Sequence, residues 1–158
     1  MRLYTGLGIT VKYPSNWVVD VKGSEANGGG ATFRDPGTLT DFYLQVLPIP
    51  FSDSAPANAV KSLIPALKKE GTQTQTVPVA STVIVGGQTW NQAAGTTDLT
   101  QGGQSVFIEQ VIIATNHPLH SSNARLFLLT YTAPAQTFDQ INSSIFQPML
   151  RSFTFTSQ

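Results

Sequence analysis

The sequence has no cysteine, so disulfide frameworks, thiolate nucleophiles, dithiol redox chemistry and thiolate zinc sites are excluded at the outset. Charge is scarce: Asp, Glu, Lys and Arg make up 11% of the 158 residues, nine basic against nine acidic. A chain so balanced lacks the excess positive potential that holds a phosphate backbone or an anionic membrane surface, so nucleic acid is not an expected partner. There is no apolar run of about eighteen residues, and Met1-Arg2-Leu3 leads straight into strand-like sequence without a signal-peptide core. Nor is there an internal repeat of roughly twenty to fifty residues.

What replaces charge is uncharged polarity. Thr, Ser, Gln and Asn account for 51 of the 158 residues, a surface chemistry that suits an extracytoplasmic protein. We read Met1 as the start of a chain whose export signal or lipid anchor lies upstream, so the full-length form is expected to be membrane-tethered. The length fits a single domain, residues 1–158, with enough chain to bury a core.

Two segments have helical periodicity. The first begins near Ser54, carries Val60, Leu63, Ile64 and Leu67 on one face, and places Lys68 and Lys69 before Gly71. Ser54 is its candidate cap, Pro56 is tolerated in a first turn, and Pro65, which removes a donor and crowds the Lys61 carbonyl, predicts a kink or break. The second starts at Thr137, whose spacing to Gln140 matches a capping box, with Phe138, Ile141, Ile145 and Met149 as its stripe. Pro148 predicts distortion, after which Ser152-Phe153-Thr154-Phe155 reads as a short C-terminal strand.

Everything else reads as strand: Leu7 to Tyr13, Trp17 to Val21, Ala31 to Asp35, Phe42 to Ile49, Val77 to Val85, Thr89 to Thr97, Ser105 to Thr115 and Arg125 to Thr132. Gly86-Gly87 and Gly102-Gly103 supply the positive φ that short hairpins need, so the sheet is expected to be mainly antiparallel. Asn27-Gly28-Gly29-Gly30 reads as a hairpin loop, not a phosphate cradle, because no helix and no Lys-Ser or Lys-Thr pair follows. Asp35-Pro36-Gly37 reads as a turn. The runs Val106 to Ile113 and Leu126 to Leu129 are apolar on both faces, as in central strands covered on each side. The expected class is therefore α+β: an α/β/α sandwich whose central, mainly antiparallel sheet has helices over both faces.

The segment Gly8-Ile9-Thr10-Val11-Lys12-Tyr13-Pro14-Ser15-Asn16-Trp17, with its Tyr-Pro-x-x-Trp element, resembles the opening of the PsbP-like superfamily. Phe33-Arg34-Asp35-Pro36, the strand Phe42 to Leu47, the helix ending at Gly71 and the closing pattern from Tyr131-Thr132-Ala133 through Phe138 to Phe155 follow in order. The resemblance thus spans nearly the whole chain, and it too implies the α/β/α sandwich. Members include a photosystem II subunit, a nuclear factor that releases nucleotide from the GTPase Ran, and bacterial exported proteins or lipoproteins of unassigned function. This sequence has neither a strongly acidic patch nor a lysine-rich face, so the unassigned bacterial branch is the better match. A shared scaffold of this kind does not imply one activity.

Candidate chemistry is sparse. His117-Pro118-Leu119-His120 brings two imidazoles close in sequence, and a metal would need a further ligand such as Glu109 or Asp98. Pro118 argues against the helical spacing of metalloprotease histidines, so solvated loop histidines are the expected state. Ser121 and Ser122 follow, but no Gly-x-Ser-x-Gly sequence occurs and adjacency does not make a triad. Trp17 and Trp90, with Tyr13, Tyr43 and Phe51, are candidates for an apolar groove; Trp17 is expected to be buried structurally instead.

The sequence therefore points to a non-enzymatic binding or assembly domain outside the cytoplasm. It would recognise a protein partner or small apolar ligand, with no catalytic, cofactor-binding or metal residue assigned and no cofactor expected. One alternative is a hydrolase or metal-dependent enzyme using the His117 to Ser122 loop. Another is a structural domain of a cell-envelope protein.

Overall fold

The structure, a computed structural model, describes residues 1–156. It opens with strands β1 (Arg2–Gly6), β2 (Ile9–Tyr13), β3 (Val18–Ser24), β4 (Gly28–Arg34) and β5 (Asp41–Leu47), followed by helices α1 (Ala55–Lys61) and α2 (Leu63–Glu70). Strands β6 (Gln75–Val77), β7 (Thr82–Val85), β8 (Gln88–Gln101), β9 (Gln104–His117) and β10 (Arg125–Pro134) come next. A helical segment made of α3 (Phe138–Ile141), a π turn (Asn142–Phe146) and α4 (Gln147–Ser152) leads to β11 (Thr154–Phe155).

The strands form an eight-stranded sheet in the order β3-β4-β5-β10-β9-β8-β6, with β7 also on β8, and a three-stranded sheet β1-β2-β11. The pairings are antiparallel throughout. Gly86 and Gly87, at φ +61° and +74°, turn β7 into β8, and Gly102 and Gly103, at +55° and +80°, turn β8 into β9. These are the mirror-image turns that match strand twist, as the glycine pairs predict.

The expected sandwich with helices over both faces is not what forms. The inner face of the large sheet packs against the small sheet and the C-terminal helical segment. Phe33, Phe42, Leu44, Phe127, Leu129 and Trp90 are buried there with Ile9, Val11, Phe146, Met149 and Phe153. On the outer face α1 and α2 cover only β8 to β10, where Val60 meets Ala114 and Leu126. Apart from Leu47, which packs against this cluster, the described residues leave the outer face of β3 to β5 open. The physical reason lies in the pattern of β5, which alternates buried and half-buried positions along Asp41–Leu47, the signature of a sheet wet on one side. Two short helices cannot span the outer face of eight strands, so part of it stays in water, while the inner face is covered by the small sheet and the C-terminal helical segment.

Several local expectations shift for identifiable reasons. The first strand divides at Leu7 and Gly8, both with positive φ, so β1 precedes the turn and β2 follows it. The helix break falls at Ser62, and Pro65 sits in the first turn of α2, where its missing N–H would have no intrahelical partner anyway. Neither Ser54 nor Thr137 makes a side-chain cap. Ser54 instead bonds Ser52, 2.9 Å away, and the Thr137 hydroxyl points back at the Pro134 carbonyl. Pro148 is absorbed by the π turn ahead of it. Pro78 to Ser81 interrupts the expected strand Val77 to Val85, leaving β6 and β7.

An aromatic seam joins the layers. Phe33 lies 5.3 Å from Tyr4, 5.2 Å from Tyr13 and 6.1 Å from Phe42, and Tyr131 lies 4.8 Å from Phe146. Phe33→Ala is expected to lower the unfolding free energy by about 3–5 kcal/mol, the usual effect of emptying a fully packed aromatic site. The urea midpoint, at unchanged slope, measures it.

Candidate functional site

The residues proposed for metal or acid–base chemistry do not converge. Glu109 and His117 lie on the same strand β9, eight residues and therefore about 26 Å apart. Among the described residues no group of three or more His, Asp or Glu side chains is placed to hold a metal ion.

Each candidate has its own local role. The Asp98 carboxylate accepts the N–H groups of Thr72 and Gln73 at 2.7 and 2.8 Å and the Thr72 hydroxyl at 2.9 Å. These bonds, led by that from Gln73, hold its pKa below the usual carboxylate value. Asp98 thus anchors the chain leaving α2. Glu109 is raised by burial and, secondarily, by the nearby Asp139. Its charge also adds to the burial that pushes the Tyr131 phenol up to about 12, against a lowering hydrogen bond from Gln147.

His117 stacks face to face on Phe155, with ring centroids 3.8 Å apart, after a cis peptide bond joins it to Pro118. Its Nδ1 lies 2.8 Å from the buried Gln88 Oε1. Gln88 in turn donates its amide to the Thr115 hydroxyl at 2.8 Å and the Asn116 carbonyl at 2.6 Å. Because that carbonyl can only accept, the Gln88 orientation is set, and His117 must carry its proton on Nδ1. His120 turns the other way, with Nδ1 2.9 Å from Asp53 Oδ1, both side chains mostly in solvent. Asp53 is a partner that sequence reasoning missed, because its position 67 residues upstream gives no local signal. The Ser121 hydroxyl accepts the Asn123 N–H at 3.1 Å, closing a turn.

The candidate aromatics are divided between core and surface. Trp17 is buried as expected, and Trp90 is fully buried with its indole N–H donating to the Val85 carbonyl at 2.9 Å. Tyr13 packs on Phe33, and Phe51 is half-buried. Only Tyr43 lies on the open outer face, with its ring over Gly30, where a Cβ would come within 3.0 Å of it. The glycine run is therefore part of strand β4, not the expected hairpin loop. Gly30 is needed for the close approach of Tyr43.

Among the described residues, two of the larger concavities bear on recognition. One, about 610 Å³, lies on the open face and is lined by Asp20, Val21, Lys22, Gly30, Thr32 and Tyr43. The other, about 570 Å³, lies beside the tip of the β8–β9 hairpin and is lined by Ser105, Val106, Phe107, Pro134, Ala135 and Gln136. Phe107 keeps 44% of its surface exposed, while its carbonyl accepts the Ala135 N–H at 2.9 Å. That bond ties the hairpin to the chain after β10, so the cleft is preformed. Neither Phe107 nor Asp41 was singled out by the sequence. Asp41 sits on the outer face between Arg34 and Thr132 on the flanking strands, and burial pushes its carboxyl up to about 6.

Two measurements check this electrostatic picture. Asp41 binds its proton more tightly in the folded than in the unfolded chain, so stability falls as pH rises from about 4 through about 6. Asp41→Asn is expected to remove that slope and gain about 1–2 kcal/mol at pH 7, with no gain below pH 4, in urea titrations across pH. Long-range ¹H–¹⁵N spectra at neutral pH are expected to place the His117 proton on Nδ1, and one equivalent of Zn²⁺ should move neither imidazole. A joint shift of both rings would contradict the separation described above.

No protein-family model and no curated protein matches the sequence. Among solved structures the chain is similar to LpqN, a protein involved in cell envelope biogenesis in Mycobacterium tuberculosis. The TM-score is 0.57 at 15% identity, over 94% of this chain and 83% of that one. At this identity the likeness is one of fold, and it is compatible with the resemblance carried by the sequence motifs.

Proposed function

We propose that this protein is a non-enzymatic binding domain of the bacterial cell envelope that takes a small apolar ligand, or an apolar side chain of a protein partner, at the Phe107 cleft. The observation that carries the reading is a half-exposed aromatic ring held on a fixed backbone beside a concavity of about 570 Å³. That volume falls within the range of small-ligand sites, and an aromatic anchor supplies most of the affinity at such places.

The extracytoplasmic setting is supported by the polar, weakly charged surface and by the fold likeness to LpqN, itself involved in envelope biogenesis. No helix among the described residues is long and apolar enough to cross a membrane. The finer placement, in the unassigned bacterial branch of the PsbP-like superfamily, rests on the motifs from Tyr13 to Trp17 and from Tyr131 to Phe155. A purely structural envelope domain would have no use for a preformed apolar cleft.

Titration with the neutral fluorophore N-phenyl-1-naphthylamine tests the cleft. Wild type is expected to give saturable, blue-shifted emission, and Phe107→Asp to weaken it about tenfold, as loss of one aromatic anchor would. An unchanged urea midpoint separates this from unfolding. Equal binding by the variant, or no saturable binding by wild type, would remove the assignment.

A further inference from the structure

Strand β3 is an edge. It pairs with β4 and, among the described residues, with no other strand. An edge strand presents alternate backbone N–H and C=O groups outward, a template for another strand unless something blocks it. Among the described residues it is left open: Val18, Asp20, Val21, Lys22 and Gly23 are all exposed, and Val21 keeps 48% of its surface in water. Charges on an edge normally discourage such pairing, and β3 carries two, Asp20 and Lys22.

Their spacing reverses that effect for one partner. In an antiparallel pair of β3 strands related by a two-fold axis through Val21, Val21 faces its own copy. Asp20 then faces Lys22 of the second copy, and Lys22 faces Asp20. Residues 20 and 22 share the outer face, since they pair with Thr32 and Gly30 of β4, so the opposed charges meet on one side of the joined sheet. On the other side Val19 faces Gly23, which has no side chain to obstruct it. An unrelated strand has no reason to match this order of one anion and one cation two residues apart; a second copy matches it by symmetry.

We propose that β3 is a homodimer interface, in which two copies join their eight-stranded sheets edge to edge about an axis at Val21. The interface is isologous and closed, so it leaves no free β3 edge for further growth. Cross-strand opposite charges stabilise such a pair and like charges oppose it. The concavity lined by Asp20, Lys22, Thr32 and Tyr43 then runs up to its symmetry mate across the axis.

Sedimentation equilibrium of the whole chain, at concentrations up to the millimolar range, is expected to show a reversible species of twice the 17.0 kDa monomer. Asp20→Lys places like charges opposite each other twice and should weaken dimerisation about tenfold. The double exchange Asp20→Lys with Lys22→Asp restores the pairing in reverse and should recover most of the loss. Because the chain has no cysteine, Val21→Cys provides a second readout. Directly opposed strand residues lie about 4.5–5.5 Å apart at Cα, within disulfide reach, so mild oxidation should cross-link this variant and not Thr82→Cys on β7. A monomer at every concentration, a dimer indifferent to the charge reversal, or equal cross-linking at both positions would overturn the proposal.

Discussion

The aromatic layer trapped between the two sheets is the interaction on which the rest depends. Phe33, Phe42, Tyr131 and Phe146 form one part of it, and Trp90, Phe127, Phe153 and Phe155 the other. These rings come from β4, β5, β8, β10 and the C-terminal segment, so the seam joins chain ends more than a hundred residues apart. A hairpin as long as β8–β9 cannot be stable alone with an apolar face in water. The seam supplies the missing cover, and β11 closes it by pairing Thr154 and Phe155 with β2.

That arrangement determines where the polar groups singled out by the sequence come to rest. His117 is drawn into the seam by Phe155 and into the Gln88 hydrogen-bond set, while His120 is held outward by Asp53. Asp98 is occupied by the chain after α2. With these polar groups engaged in shaping the fold, the surfaces that remain for recognition are shape and edge features: the Phe107 cleft, the open face under Tyr43 and the edge at β3. The proposed binding role rests on these features, a few side chains presented on a rigid sheet.

How far the sequence could be read depended on how local each signal was. The glycine pairs at 86–87 and 102–103 marked their turns because positive φ is a property of the residue itself. Leu7 hid the first turn, since a leucine with φ +53° is rare and only Gly8 hinted at it. The two proline-bearing helices were legible, but the break falls at Ser62, which leaves Pro65 in the first turn of α2 where its missing N–H is tolerated. Gly28 to Gly30 looked like a loop because glycine weakens strands. It became a strand once Tyr43 on the neighbouring β5 needed the space above Gly30.

By itself the sequence determined the absence of thiol chemistry, the balanced charge, the antiparallel hairpins and the identity of most strands, because composition and short-range periodicity follow from adjacent residues. Only the tertiary structure decided which strands share a sheet, and that a second sheet together with the C-terminal helical segment covers the inner face. It likewise decided that His117 meets Gln88 and His120 meets Asp53, and that Phe107 is left exposed beside a cleft. Those outcomes depend on contacts between residues tens of positions apart, whose free energy exists only when the aromatic layer has closed.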